Sequence, residues 1–357
     1  MLLRLSTRGQ RVGAVTAALC ALAAFTVGPG APGVSAASSA STTTLTSGSV
    51  TVLGLSAYTD MVADSVHGHV FVSGGYPSPY IDVLTTKTGV LSTIKVDDVT
   101  GLALSPNDSL LYAASSDGNR IVAINTTTLA VAATYSTGSQ APIYLAYAGG
   151  YLWYTSITSL DFGRLNVSTG QASLTSVQAP APGAQLVSSA AAPNVLAAGT
   201  LDVSPGVADV YDVSTGTPVY VSGTANLPST NGQDPCDGLG GFAITQNGQD
   251  AVLTCDRSSV SAYTLKSFAA AGSYNIAPAD YAQWVAVSPN GQIAAGACNE
   301  DGTSAVDVFN AGGATPVAQA IVPDYYTKGV VWDGPNTVYA ISNTPPTSTY
   351  TLREYTL

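Results

Sequence analysis

Residues 101–125 read GLALSPNDSLLYAASSDGNRIVAIN, and residues 284–309 read WVAVSPNGQIAAGACNEDGTSAVDVF. A looser copy, GFAITQNGQDAVLTCDRSSVSAYTL, begins at Gly241. Each copy reads as strand, tight turn, strand, turn, strand. A period of about forty residues built only from strands predicts a β-propeller. The tight turns align at His67-Gly68, Asn107-Asp108, Gly149-Gly150, Pro193-Asn194, Asn247-Gly248, Asn290-Gly291 and Pro335-Asn336. The steps between their second residues are 40, 42, 44, 54, 43 and 45, which makes seven units. Asn-Gly and Gly-Gly reach the positive φ of a hairpin turn at little cost. Apolar, β-branched runs such as Ile121-Val122-Ala123-Ile124 flank them. The expected fold is all-β, a single seven-bladed β-propeller of four-stranded antiparallel blades.

The seventh unit ends early, a few residues after Thr349-Tyr350-Thr351-Leu352, with no room for an outer fourth strand. The segment 49–55, SVTVLGL, precedes the first unit and has no unit of its own. Pairing the two closes the ring with an N-terminal strand, against the third strand of unit seven near residues 348–354.

The first residues have the organisation of an export signal. Arg4, Arg8 and Arg11 precede an apolar run from Val12 to Val27, and Val34-Ser35-Ala36 suits a signal peptidase. The expected domains are a cleaved signal peptide at 1–36, a disordered lead-in at 37–47 and the propeller at 48–357. The apolar run is too short for a comfortable membrane span, and no second one follows. The protein is therefore expected to be secreted, with no membrane span. Removing 1–36 takes three of the eleven basic residues and no acid, which leaves a net charge of −14. A chain so acidic repels nucleic acid and anionic lipid, so no nucleic-acid partner is expected. The mature chain is read as a monomer. It keeps Cys236, Cys255 and Cys298, and an exported chain can hold one bridge. Cys236 precedes the innermost strand of unit five and Cys255 ends its second strand, so both emerge on one face. That favours a Cys236–Cys255 bridge. Cys298 is the equivalent of Cys255 one unit along, and a Cys255–Cys298 bridge remains the alternative near the channel.

The phrase SPNG followed by NEDGTSAVDVF resembles the WD40-like and YVTN-type propeller repeats. The resemblance covers residues 50–357 and is silent on activity. The third and fourth units lack the SPDG-like turn, and no unit has a full WD dipeptide with its histidine. The resemblance implies that ligands favour the face whose loops enter the innermost strands, opposite the tight turns. We call it the entrance face. The longest step carries its surplus there, in SGTANLPSTNGQDPCDGLGG from Ser222. Long loops of this kind are functional or are tolerated insertions. With its neighbours, the insertion defines an expected ligand rim of Tyr76, Tyr80, Asp234, Asp237, Tyr281, Trp284 and Tyr325. Tyrosine and tryptophan give flat apolar area with a polar tip, suited to sugars and protein partners. They also serve as packing between blades.

One residue per unit stands just before the innermost strand, at the expected channel mouth: Asp60, Thr100, Ala141, Gln185, Gly240, Gln283 and Lys328. Asp60 and Lys328 flank the closure and are expected to form a salt bridge. Only His67 and His69 occur. As HGH they would share a strand face, too few for a closed metal site. No G-x-S-x-G elbow is present. Neither a catalytic residue, a metal nor a cofactor is assigned. The reading that results is a secreted, non-enzymatic binding or scaffold protein. It would act through entrance-face loops on an extracellular protein or glycan of the cell envelope. The alternative is a channel-centred hydrolase or lyase of lactonase type, using acids such as Asp60 at the mouth.

Overall fold

A computed structural model describes residues 42–201, 203, 205–226, 236, 238–255, 259–276, 280–299, 304–324, 326–344 and 349–357. These residues form seven antiparallel blades arranged in a ring. The innermost strands are Asp60–Asp64, Val99–Leu104, Pro142–Ala148, Gln185–Ser189, Leu239–Ile244, Asp280–Val287 and Tyr326–Asp333. Each packs on the next, and the last packs on the first. Six sheets have four strands and one has five. The apolar core lies in the seams between blades. Phe71, Ile81 and Val83 of blade one meet Leu102, Leu111 and Val122 of blade two. Outermost strands alternate toward solvent, as Val131–Ser136 does, because only one of their faces has a blade to cover it.

The ring closes as the sequence suggests. Thr46–Leu53 runs antiparallel to Tyr350–Thr356, with Val50 opposite Arg353 and Leu53 opposite Tyr350. Ser49 Oγ donates a 2.7 Å hydrogen bond to Glu354 Oε2 across this pair. One further strand was not foreseen. Thr43–Thr44 adds in parallel to Ala318–Val322, the outer strand of blade six. Strand structure thus begins inside the stretch 37–47, read above as a disordered lead-in. The cause is Leu45, 4% exposed, which seats among Ala318, Val330, Trp332 and Tyr355 in the seam between blades six and seven.

Most tight turns fall where expected, with positive φ at Gly68, Asp108, Gly150, Gly248 and Gly291. Blade four departs. Its first two strands, Gln185–Ser189 and Ala192–Gly199, meet through residues 190 and 191, with Ser189 opposite Ala192. Pro193-Asn194 lies inside the second strand. Proline is tolerated there, just after the strand begins, where it disturbs the ladder least. Cys236 and Cys255 are bonded, with Cα atoms 4.9 Å apart. Cys298 is a buried thiol outside that bridge.

Candidate functional site

The innermost strands enclose a central cavity of about 570 Å³. Its wall runs from Tyr58 and Asp60 at the entrance end to Ser65, Gln246 and Pro289 beside the tight turns. Aliphatic residues make up much of it. The exceptions are five aromatics (Tyr58, Tyr144, Tyr147, Trp284 and Trp332), the polar Asp60 and Gln185, and a few more polar groups toward the other end. Asp60 is the one charged residue among the described residues of the lining.

The strand register explains which mouth residues reach the cavity. In blades two, five, six and seven the innermost strand carries a bulge at its entrance end. The pairing passes over Thr100, Gly240, Gln283 and Lys328. An extra residue in one strand re-aims the side chains around it. None of these four residues lines the cavity. Thr100 Oγ1 instead donates to the Ile143 carbonyl at 2.8 Å. Gly240 packs on the Gln283 backbone so closely that a Cβ would collide with it. Ala141 is buried ahead of its strand. Blades one and four pair regularly at this end, Asp60 opposite Ser73 and Gln185 opposite Gly199. Those two blades deliver their polar residue to the channel.

Asp60 is held on both oxygens by backbone. Met61 N–H donates to Oδ1 and Leu102 N–H, from blade two, donates to Oδ2, both at 2.8 Å. Burial pushes its carboxyl up to about 7, against the opposing pull of those two amides. The expected salt bridge with Lys328 does not form. Lys328 sits on the bulge, and its Nζ lies 4.6 Å over the Tyr326 ring. Gln185 Oε1 is buried without a hydrogen-bond partner.

Tyr58 is the residue that sequence reasoning missed. It arrives on the connection from the closing strand and meets Trp284 edge-on at 6.3 Å and Tyr350 at 6.4 Å. Gly329, on blade seven, makes room for its hydroxyl, since a Cβ there would collide with it. Burial, and then the nearby Asp60 and Tyr144, hold the Tyr58 phenol well above its ordinary range. The only signal in the sequence was position, two residues before Asp60.

Of the expected rim, Trp284 is the member brought to the cavity, where it also packs against the seam of blades six and seven. Tyr76 and Tyr80 stand outside the lining, 71% and 42% exposed. Tyr281 is part-buried beside Cys298 in the pairing of its blade. Asp234, Asp237 and Tyr325 lie outside the described residues, as does half of the blade-five insertion, residues 227–235 and 237. Asp324 is tied down elsewhere. Burial would raise its carboxyl, but hydrogen bonds from Ser342, Arg353 and Thr344 outweigh that and hold it below the usual range.

The two histidines do not share a strand face. His67 is in the turn, with Nδ1 2.8 Å from Asp64 Oδ2, and His69 opens the second strand. Among the described residues no three His, Cys, Asp or Glu side chains gather as metal ligands would. Among the described residues, too, no helix is long and apolar enough to cross a membrane. Compared with protein-family models and with curated proteins, the chain matches none.

Proposed function

We propose that this chain is a secreted, non-enzymatic binding propeller. Its partner is an extracellular protein or glycan of the cell envelope, part of which enters the channel at the entrance end. The observation that carries this is the lining itself: aromatic rings around one carboxylate, in a cavity sized for a small group. A general acid–base pair at Asp60 would have to use the phenol of Tyr58 or Tyr144, because the described lining holds no second carboxylate and no imidazole. Export is supported by the Cys236–Cys255 bridge, which persists in oxidising compartments, and by the basic and apolar start of the sequence.

The test is retention of the mature protein on envelope fractions from the producing cell. Trp284→Ala should weaken retention by about 2 kcal/mol or more in protein that is still folded at the assay temperature, with a lower melting temperature from the lost seam packing. Undiminished retention by a folded Trp284→Ala, Tyr281→Ala double variant would remove this half of the rim from the site. Loss of folding instead would assign Trp284 to the seam alone.

One observation favours the hydrolase or lyase alternative. A carboxyl at about 7 is poised for general-base work. Turnover of a lactone or ester panel by the mature protein, abolished by Asp60→Asn, would establish that reading in place of ours.

A further inference from the structure

Two residues at the channel mouth offer acceptor capacity to the cavity. Asp60 and Gln185 are the two aligned mouth residues that face it. They come from blades one and four, three positions apart, which is the widest separation a ring of seven allows. Gln185 Oε1 is buried with no donor. Each Asp60 oxygen accepts one backbone N–H, which leaves further lone-pair capacity on both. No Lys, Arg or His is among the described lining residues. Tyr58, close enough to feel the charge of Asp60, shares the lining with Tyr144 and Trp284. A whole-chain net charge of −11 draws cations toward such a mouth and repels anions.

We propose that the group bound in the channel is an ammonium. Its N–H bonds engage Asp60, its carbon body lies along Tyr58 and Trp284, and a second donor reaches Gln185. A carboxylate and aromatic faces act together on such a cation, the one through charge-assisted hydrogen bonds and the other through the ring quadrupole. A neutral hydroxyl in the same place would satisfy the acceptors but, unlike an ammonium, would not hold the carboxyl in its charged form. This rests on the binding reading above and names the chemistry that reading leaves open. The amine can be free or carried on an envelope polymer, and the shared chemistry is the ammonium.

The probes are tyramine, tyrosol and 4-hydroxyphenylacetate, which share a body and differ in charge. Their binding to the mature protein is measured by calorimetry. Tyramine should bind about tenfold or more tightly than tyrosol, and 4-hydroxyphenylacetate weakest. Asp60→Asn should erase the advantage of tyramine and leave tyrosol unchanged. The charge series on the unaltered protein decides the matter even if Asp60→Asn folds poorly. Equal affinity for tyramine and tyrosol, a persisting advantage in folded Asp60→Asn, or no binding of tyramine overturns the inference. Tyrosol binding that matches tyramine and depends on Trp284 would discard the ammonium and keep the binding channel. Acetylating the amines of the envelope fraction separates the sources. Lost retention places the ammonium on the polymer, and intact retention with tyramine binding places it on a free amine.

Discussion

Blades five and seven are each tied to a segment outside their own consecutive strands, and by opposite means. Blade five uses a covalent bond, Cys236 to Cys255, with a sequence separation of 19. Blade seven uses a strand, Thr46–Leu53, laid along Tyr350–Thr356 at a separation of about three hundred residues. A short loop closed by a disulfide gains stability mainly from what it removes from the unfolded chain. A strand that bridges the two ends must gain it from pairing and burial in the folded state. The second kind of tie also positions function, because the connection after Leu53 carries Tyr58 and then Asp60 into the channel mouth. The disulfide has no part in the described lining.

The largest test of this contrast is deletion of residues 42–53. It strips Leu45 and Leu53 from their seams, and each buried leucine is worth roughly 2 kcal/mol. It also leaves Tyr350–Thr356 as an open edge. Denaturant unfolding should show a loss of several kcal/mol, and an unchanged midpoint would mean the closure is ornamental.

A smaller loss is expected from Cys236→Ser with Cys255→Ser, roughly 3 kcal/mol by loop-closure entropy. The same probe series used for the channel should bind this variant as before. Altered tyramine affinity would show that blade five reaches the mouth after all.

A third test, which reads the mouth alone, is the pH dependence set by Asp60. Its carboxyl rises from an ordinary value of 3.8 to about 7 in the fold, because burial disfavours the charged form. The folded state therefore binds the proton more tightly than the unfolded state, and stability falls as pH rises through that window. Asp60→Asn removes this loss. The melting temperature of the variant relative to the parent should climb between about pH 4 and pH 7 and level off above it. A flat difference would mean that Asp60 is solvated at the mouth. The cysteine variant should keep the parental slope.

Much of this was legible in the sequence, and the reason is locality. Hairpin turns at Asn247-Gly248 and Asn290-Gly291 depend on a few adjacent φ values. The number of blades followed from their spacing. The closing strand followed from an incomplete last unit, and the disulfide from the face on which two strand ends emerge. Blade four was misplaced because its turn at 190–191 has no Gly or Asn to mark it, while Pro193-Asn194 offered a false signal.

By itself the sequence determined the repeat and the ring of seven, which rest on short-range turn chemistry and period-2 alternation, pointed to the closure through an incomplete last unit, and favoured one of two bridges. Only the tertiary structure decided which mouth residues face the channel. A bulge shifts pairing by one residue and turns every side chain around it, and its placement depends on the partner strand and the blade behind. Thus Gln283 and Lys328 were aligned with Asp60 in sequence yet lie off the cavity. Tyr58 entered it because Gly329, more than two hundred and fifty residues away, leaves the space for its hydroxyl.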